Sequence, residues 1–270
     1  MALLDSLKFL IDTSKKVQNV VKPILGSALA SEPLGRGAGG DITRGIDKLA
    51  ENVILDSIRS QNLSCFVVSE ESGIIEIGSR PNVYVIIDSI DGTTNSLRGI
   101  PFFCTSIAIS RGDRIKDIEA GVVMDISNSS IFYAKKNKGA YMGGNRIKTS
   151  NKKLLEDALI AIDFSKVEER NITKLIPLFK VIRHMRHFGA TALEICYIAS
   201  GFMDAFVDIR NMLRVTDIAS SYIILKEAGG EILTPEGKEL YNKLKPTQKV
   251  SFIAAANSTI FRNIMEHIKQ

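Results

Sequence analysis

The sequence has 270 residues, a formal net charge of +5, and 45% hydrophobic and 24% charged residues. These values are ordinary for a soluble globular protein, and the length allows one large domain or two smaller packed ones. No apolar run approaches the roughly 18 residues that a membrane span needs, and the N-terminus lacks the order of a secretory signal. We therefore expect a cytoplasmic protein that has no membrane partner.

The cysteines and histidines do not form a metal-binding pattern. Cys65, Cys104 and Cys196 are far apart and lie in apolar surroundings, which predicts buried thiols rather than a disulfide framework or a zinc cluster. The three histidines have no acidic or cysteine neighbour at metal-ligand spacing. Any metal in this chain is therefore expected to be a hard, oxygen-bound cation.

Basic residues are concentrated between Lys135 and Lys153, a stretch that contains no acid. With a pI near 9.0, the chain could attract phosphorylated metabolites or nucleic acid, or nothing specific. The stretch lacks the aromatic interleaving that stacks bases, so a solvated hairpin face is favoured and nucleic acid is not favoured as a partner.

The first half of the chain predicts two helices, a flexible loop and a mostly antiparallel sheet. Apolar residues at helical spacing predict a helix over residues 3–25, closed by Pro23 and Gly26. Four glycines within residues 35–40 indicate a mobile loop or a plain linker, and a second helix follows from about Asp47. Strands are predicted at 63–69, 83–87, 105–110, 118–126 and 130–134, with a hairpin meander continuing to about residue 150.

The second half changes rhythm, because strands alternate with helices, and this favours an α/β layer. Strands are predicted at 158–164, 202–209 and 250–256, and helices near 172–181, 190–199, 216–227 and 258–268. The change near residue 150 predicts an α+β domain over residues 1–150 and an α/β domain over residues 151–270.

Acidic residues follow two of the predicted strands. The apolar run 83–87 leads into Asp88-Ser-Ile-Asp-Gly-Thr-Thr-Asn95, and the strand at 63–69 ends in Glu70-Glu71. An unpaired carboxylate at the end of a buried strand costs several kcal/mol or changes its protonation state, so a divalent cation is the expected partner. Residues 91–95 also suit a simple turn, because Gly tolerates positive φ and Asp and Asn bond their own backbone.

Two further acids, Asp47 and Asp217, stand in the first turns of predicted helices. Either could simply cap its helix or stabilise the helix dipole. If acids from these segments converged within about 4 Å, each pair would repel by roughly 4 kcal/mol at an effective dielectric of 20. Such a set needs cations, and magnesium fits carboxylate oxygens.

Five segments in order resemble the inositol monophosphatase and fructose-1,6-bisphosphatase family of magnesium-dependent, lithium-sensitive phosphatases. They are Asp41-Ile-Thr-Arg-Gly-Ile-Asp47, Ser69-Glu-Glu-Ser-Gly73, Asp88 to Asn95, Gly189-Ala-Thr-Ala-Leu-Glu194, and Asp217-Ile-Ala-Ser-Ser221 followed by Glu227-Ala-Gly-Gly230. The resemblance covers nearly the whole chain. It implies an α+β fold, a layered αβαβα sandwich in which an N-terminal α+β half packs on a C-terminal α/β half with the site between them.

The resemblance also implies site residues. Two or three magnesium ions would be held by Glu70, Asp88, the carbonyl of Ile90, Asp91 and Asp217, with Mn²⁺ as a substitute and Li⁺ as an inhibitor. Asp47, Glu70 and Thr93 would be catalytic, with Asp47 and Thr93 orienting and deprotonating the attacking water. The substrate would be contacted by Gly92, Thr93, Thr94, Arg186, Gly189, Ala190, Asp208, Arg210 and Arg214. Two departures from the family pattern, Ser89 and Thr216, would affect turn rigidity and packing but not metal binding.

The segment from Asp208 to Asp217 carries two residues more than the animal inositol phosphatases and looks like archaeal members that accept both inositol phosphate and fructose bisphosphate. By this resemblance, Asp208 would bond sugar hydroxyls. Arg186, Arg210 and Arg214 would grip a second phosphate, because a guanidinium matches phosphate as a fork. The alternative is that they are solvated surface arginines.

The predicted function is Mg²⁺-dependent hydrolysis of inositol-1-phosphate or fructose-1,6-bisphosphate, or both, by direct in-line attack of a metal-activated water. A phosphatase of 3'-phosphoadenosine 5'-phosphate or of NADP is an alternative. In a different class, some bacterial family members act as accessory proteins of transcription, so a non-enzymatic role with RNA is also open. The family resemblance implies a homodimer or homotetramer.

Overall fold

The computed structural model of the chain describes residues 3–268, with side chains from residue 6 onward. Helices α1 to α8 lie at Leu3–Val21, Ala28–Ser31, Gly45–Ser60, Thr93–Arg98, Glu169–Phe179, Thr191–Ala199, Val215–Glu227 and Ser258–Ile268. Strands β1 to β15 lie at Pro33–Arg36, Ile42–Arg44, Cys65–Ser69, Gly73–Ile77, Tyr84–Asp91, Cys104–Ser110, Ile118–Asp125, Ile131–Lys135, Ala140–Met142, Asn145–Arg146, Leu159–Ile162, His184–Arg186, Ala205–Arg214, Glu231–Leu233 and Lys249–Ala255.

The strands form a hairpin and two larger sheets. The hairpin is β1–β2. The eight-stranded sheet has the order β10-β9-β8-β7-β6-β5-β3-β4, in which β3 and β5 run parallel and the other neighbours antiparallel. The five-stranded sheet has the order β12-β11-β13-β15-β14, in which β12, β11 and β13 run parallel. Parallel strands bring their carboxyl ends to one edge of the sheet, where sites are commonly built.

Helices cover both faces of each larger sheet. α1 and α3 pack on the outer face of the eight-stranded sheet, and α6 and α7 pack between the two sheets. α5 and α8 cover the remaining face of the five-stranded sheet. Because both faces of the first sheet are covered, β5 is a near-continuous apolar run and β6 is buried along its whole length. The layers therefore follow the order helix, sheet, helix, sheet, helix, which confirms the predicted layered α+β sandwich.

The two halves approach each other closely at Gly121 in β7. A Cβ atom at this position would lie 2.8 Å from both the Cα and the carbonyl oxygen of Ser220 in α7. Ser106 of β6 donates a hydrogen bond from its hydroxyl to that of Ser220, at 2.9 Å. These contacts fix the start of α7, which carries Asp217, against the first sheet.

Most predicted elements are present with shifted ends. The first helix ends at Val21, just before Pro23, and the strand predicted at 202–209 begins at Ala205 and continues to Arg214. The segment predicted as a loop at 35–40 contains the end of β1, whose four residues are all exposed and so give no apolar alternation. β4 and β12 were not predicted from the sequence.

The two larger sheets are separate in sequence, at residues 65–146 and 159–255. The division into two domains at residue 150 stays a prediction, since α6 and α7 pack against both sheets. The three cysteines are buried and free, as expected. Among residues 3–268, none of the helices combines the length and the apolarity required to cross a membrane.

Candidate active site

A cavity of about 770 Å³ lies between the two halves of the molecule. Its first-half lining comes from the β2–α3 segment, the ends of β3 and β5, and the start of α4. Its second-half lining comes from the residues after β11 and β12 and from the start of α7. Both sheets therefore contribute polar side chains to one space.

Three acids from separate elements converge in this cavity. Glu70 follows β3, Asp88 lies in β5, and Asp217 lies in the first turn of α7. The parallel register pairs Ser69 with Ile87, so the next residue of each strand, Glu70 and Asp88, are neighbours. One carboxylate oxygen from each of Glu70, Asp88 and Asp217 lies within 4.8 Å of the other two, which suits a shared cation.

Bringing these carboxylates together in the acidic cluster (Glu70, Asp88, Asp217) makes the ionised forms of Glu70 and Asp88 less favourable. Burial, followed by the charge of Asp217, holds the pKa of Glu70 well above its usual range. Burial, followed by the charges of Glu70 and Asp91, does the same to the pKa of Asp88. Neighbouring carboxylates thus disfavour the ionisation of Glu70 and Asp88, and positive charge supplied from outside would relieve the repulsion.

Asp91, the last residue of β5, joins the cluster to α6. Its Oδ2 accepts a hydrogen bond from the backbone N–H of Ala192 at 2.6 Å. Burial raises the pKa of Asp91 to about 7, with a further contribution from the charge of Asp217, while the α6 amides oppose the shift. Asp91 therefore both faces the cavity and caps the N-terminus of a helix from the second half.

Arg214, immediately before α7, contacts the acidic cluster directly. Its guanidinium nitrogens lie 2.8 Å from Glu70 Oε1, 3.3 Å from Asp217 Oδ1 and 2.9 Å from Asp41 Oδ2. The side chain is 13% exposed. Arg214 was predicted to grip a second phosphate, but its charge is already shared among these carboxylates.

Asp47 and Thr93 form a second polar pair beside the cluster. Asp47 Oδ1 lies 3.1 Å from Thr93 Oγ1, and Asp47 Oδ2 accepts the backbone N–H of Arg44 at 2.7 Å. The Thr93 hydroxyl also lies 3.0 Å from the carbonyl oxygen of Ile90, and its one proton can go to either acceptor. Burial raises the pKa of Asp47 to about 7.

Asp47 and Asp217 hold the same position in their helices. Each is the third helical residue, each helix is preceded by an arginine, and each carboxylate accepts that arginine's backbone N–H. The spacing is readable in the sequence as Arg44-Gly-Ile-Asp47 and Arg214-Val-Thr-Asp217. The sequence interpretation placed both acids in first helical turns, which the structure confirms, but it did not note the shared arginine–acid spacing.

Gly92 lies between the cluster and α4 with a φ of +88°. A Cβ atom there would approach the Cβ of Ala190 to 3.0 Å and the carbonyl oxygen of Phe102 to 3.1 Å, so a larger residue would be strained. Gly92, Thr93, Thr94 and Gly189 line the cavity. Ala190, predicted to contact substrate, is fully buried behind Gly92.

The other predicted substrate residues have environments different from those expected. Asp208 is fully buried and forms an ion pair with Arg210 at 2.7 Å, so it does not face the cavity as a hydroxyl ligand would. The Arg210 side chain is only 5% exposed. Arg186 is exposed outside the cavity lining and donates to the carbonyl oxygen of Met185. The wall near these residues is instead formed by Asp163, Ser165 and His187, which the sequence interpretation did not include.

Comparison with known proteins identifies the family. The sequence model of the inositol monophosphatase family matches residues 5–270. This chain belongs to the inositol monophosphatase family. The fructose-1,6-bisphosphatase/inositol-1-monophosphatase of Thermococcus kodakarensis is 34% identical over 259 residues, covering 96% of this chain and 95% of that protein. A solved inositol monophosphatase–fructose 1,6-bisphosphatase structure superimposes with a TM-score of 0.85 at 32% identity, covering 96% of this chain and 98% of the other.

A longer relative also matches. The bifunctional NADP phosphatase/NAD kinase of Methanococcus maripaludis is 36% identical over 270 residues, which cover 93% of this chain but 47% of that protein. The chain therefore spans about half the length of this bifunctional relative. Together the comparisons confirm the predicted family, the layered fold and the class of phosphoric monoester hydrolases, and proteins of this family are generally metal-dependent.

Proposed function

We propose that this chain is a Mg²⁺-dependent phosphatase of small sugar or inositol phosphate monoesters, acting by direct in-line attack of water. The observation that carries the proposal is the meeting of the acidic cluster and the Asp47–Thr93 pair in one cavity. A cation site beside a group that can accept a proton is what hydrolysis of a phosphate monoester requires.

The donor set fits a hard divalent cation, because it consists of carboxylate oxygens, and burial together with neighbouring negative charges raises the pKa values of Glu70 and Asp88. We assign the metal ligands as Glu70, Asp88, Asp91, Asp217 and the carbonyl of Ile90. When bound, two or three Mg²⁺ ions would supply the positive charge that a dianionic ester and its departing alkoxide need. Mn²⁺ is proposed as a substitute and Li⁺ as an inhibitor.

Asp47 and Thr93 would handle the proton of the attacking water. Thr93 Oγ1 can accept a hydrogen bond from water while its own hydroxyl donates to Asp47 Oδ1, which lies 3.1 Å away. As the water oxygen bonds to phosphorus, its proton passes to Thr93 and the Thr93 proton passes to Asp47. A carboxylate whose pKa is raised to about 7 is well suited to this exchange near neutral pH.

The backbone around Gly92 would receive the phosphate. With no side chain at Gly92, the ester can approach the start of α4 closely, and Thr93 and Thr94 line the same part of the cavity. The P–O bond to the alcohol then breaks, which leaves inorganic phosphate and an alkoxide that takes a proton from solvent.

Phosphate release tests the proposal. Purified protein would be assayed with inositol-1-phosphate, fructose-1,6-bisphosphate, 3'-phosphoadenosine 5'-phosphate and NADP, with and without Mg²⁺ and with added Li⁺. We expect Mg²⁺-dependent release from a sugar or inositol phosphate and suppression by Li⁺. Release that is unaffected by removal of divalent cations would contradict the metal assignment.

NADP is the second candidate substrate, supported by the similarity to the bifunctional NADP phosphatase/NAD kinase of Methanococcus maripaludis. In the same assay, a kcat/KM for NADP above that for inositol-1-phosphate would favour this candidate. A homodimer or homotetramer is proposed from family resemblance alone, and light scattering would measure the assembly.

A further inference from the structure

Three neighbouring parallel strands deliver polar side chains to one wall of the cavity. The register pairs Ala161 with Arg186 and Ile162 with Val207. Asp163 and His187 follow the last residues of β11 and β12, and Asp208 lies beside them within β13, which continues to Arg214. We define the hydroxyl wall as Asp163, Ser165 and His187, which line the cavity.

Arg210 lies behind this wall and all of its donors are used. Its Nε donates to Asp208 Oδ1 at 3.1 Å, and one terminal nitrogen donates to Asp208 Oδ2 at 2.7 Å and to Asp163 Oδ2. The other terminal nitrogen donates to the carbonyl oxygen and hydroxyl of Ser165, at 2.7 and 2.6 Å. A guanidinium has five N–H groups, and these contacts account for all of them. Arg210 therefore has no donor left for a phosphate.

The contacts of Asp163 fix the orientation of the wall. Asp163 Oδ1 accepts hydrogen bonds from the backbone N–H and the hydroxyl of Ser165, at 3.0 and 2.7 Å. His187 Nε2 lies 3.5 Å from the same oxygen, and the His187 side chain is 29% exposed. Asp163 and Asp208 are two carboxylates that share the single charge of Arg210. The wall is thus preorganised and carries no surplus positive charge when His187 is neutral.

The chemistry of this wall suits hydroxyl groups better than phosphate. A substrate hydroxyl can donate to the Asp163 carboxylate or to the Ser165 oxygen and accept from an imidazole N–H of His187. A phosphate placed here would meet the Asp163 carboxylate, with no unused arginine donor to offset the repulsion. The same cavity holds the acidic cluster that would take the reacting phosphate with its cations.

We propose that Asp163, Ser165 and His187 bind the hydroxyl-bearing part of the substrate and disfavour a second phosphate, which makes the chain prefer monophosphates of polyols or sugars to bisphosphates. Arg210 is a positioning residue that holds Asp163 and Ser165 in place. The proposal rests on the phosphatase function proposed above and adds which part of the molecule distinguishes its substrates.

The first test compares two histidines that lie three residues apart. His187→Ala removes a wall residue, and His184→Ala removes an exposed histidine of β12 that does not line the cavity. Each variant is assayed with inositol-1-phosphate and with p-nitrophenyl phosphate, whose leaving group carries no additional hydroxyl. We expect His187→Ala to raise KM for inositol-1-phosphate about tenfold with kcat within about twofold, as the loss of one good hydrogen bond predicts. The change for p-nitrophenyl phosphate should be smaller than about twofold, and His184→Ala should alter neither substrate.

The second test uses the nearly isosteric Asp163→Asn, which keeps an oxygen acceptor for Arg210 and removes the negative charge from the wall. The kcat/KM for fructose-1,6-bisphosphate relative to inositol-1-phosphate should rise at least about threefold, because the repulsion of a second phosphate is reduced. Melting curves by circular dichroism identify a misfolded variant, in which case His187→Ala decides the proposal alone.

The outcomes distinguish a failure of the hydroxyl wall from a failure of the phosphatase function. If the wild-type protein releases phosphate from p-nitrophenyl phosphate but His187→Ala behaves like His184→Ala, the hydroxyl wall is refuted and the phosphatase function stands. An effect of His187→Ala that is equal for both substrates also refutes the wall. If the wild-type protein releases phosphate from no ester with Mg²⁺, both proposals are overturned.

Discussion

The cavity has two acidic regions that solve the problem of buried charge differently. In the acidic cluster, burial and neighbouring carboxylates raise the pKa values of Glu70 and Asp88, and Arg214 offsets the charge only in part. In the second region, Asp163 and Asp208 share Arg210, whose donors are all satisfied. The first region carries more negative charge than Arg214 balances. In the second region, the hydrogen-bond donors of Arg210 are all satisfied by neighbouring acceptors.

The difference teaches how to assign roles to buried acids. Acids that lack sufficient counter-charge favour a site for an exogenous cation. Acids that a buried arginine satisfies favour a rigid wall, since further charge would break existing hydrogen bonds. This difference can be tested by substituting one residue of each region and measuring whether kcat/KM or the free energy of unfolding falls.

Asp88→Asn should have the largest effect, on chemistry rather than folding. One carboxylate fewer in the cluster weakens the hold on the cations, and we expect kcat/KM to fall about a thousandfold, or about 4 kcal/mol. Calorimetric titration with Mg²⁺ should show a parallel loss of affinity. Asp56→Asn, on the exposed surface of α3, is the matched control and should change neither quantity. Full activity of Asp88→Asn would remove the basis for treating the cluster as a metal site.

Arg210→Met should act mainly on the stability of the fold, in contrast to Asp88→Asn. It leaves Asp163 and Asp208 buried without their cation, and the free energy of unfolding should fall by about 3 kcal/mol. Urea denaturation measures this loss. Arg170→Met breaks an exposed pair with Glu168 and should cost less than about 1 kcal/mol. Equal effects of the two substitutions would mean that the second region is not held together by Arg210.

Asp47→Asn should separate proton transfer from cation binding. The amide keeps the size of the side chain and cannot take a proton from Thr93, so kcat should fall about a hundredfold. Asp47 is not among the assigned ligands, so Mg²⁺ affinity by calorimetry should stay within about twofold. A loss of affinity as large as that of Asp88→Asn would place Asp47 in the metal site instead.

The pKa of Glu194, which is buried in α6, is raised by burial and by negative charges near both regions. Burial raises this pKa from 4.5 to about 8, with contributions from Asp91, which lies beside the first region, and from Asp163 of the second. Because the folded state holds this proton more tightly than the unfolded state, the stabilisation is complete below pH 4.5 and is lost as pH rises through about 8.

Glu194→Gln should therefore gain stability over the wild type on going from pH 6 to pH 9. The gain should be on the order of 2 kcal/mol, measured by urea denaturation at both values of pH. Glu266→Gln, on the exposed face of α8, is the control and should show no such gain. A constant difference between Glu194→Gln and the wild type across this range would exclude the raised pKa.

The acidic cluster was accessible to sequence reasoning, and the second region was not. Glu70 and Asp88 each follow an apolar run, so the local sequence predicts that they follow buried strand segments. The register of β3 and β5 then makes them neighbours. Asp163 and Arg210 are 47 residues apart, and their contact depends on the pairing of β11 with β13. Local patterns do not encode such a pairing, so Arg210 was predicted to contact phosphate when its donors are in fact used.

The same limit applies to parts of the fold. The layered architecture followed from the resemblance and from alternating strands and helices in the second half. The hairpin β1–β2 was missed because its strands are only four and three residues long and the exposed residues of β1 lack the apolar alternation that marks a strand. β12 was missed because it is a short edge strand with three exposed residues.

The packing of Gly121 against Ser220 has a consequence for engineering chimaeras. Exchanging residues 1–150 for the corresponding half of a relative would replace β7, and a residue larger than glycine at position 121 would displace α7, because its Cβ atom would lie 2.8 Å from the backbone of Ser220. Such a displacement would move Asp217 away from Glu70 and Asp88 even though all three acids were retained. A functional hybrid therefore has to preserve this small-residue contact between the sheet and α7, as well as the acids themselves.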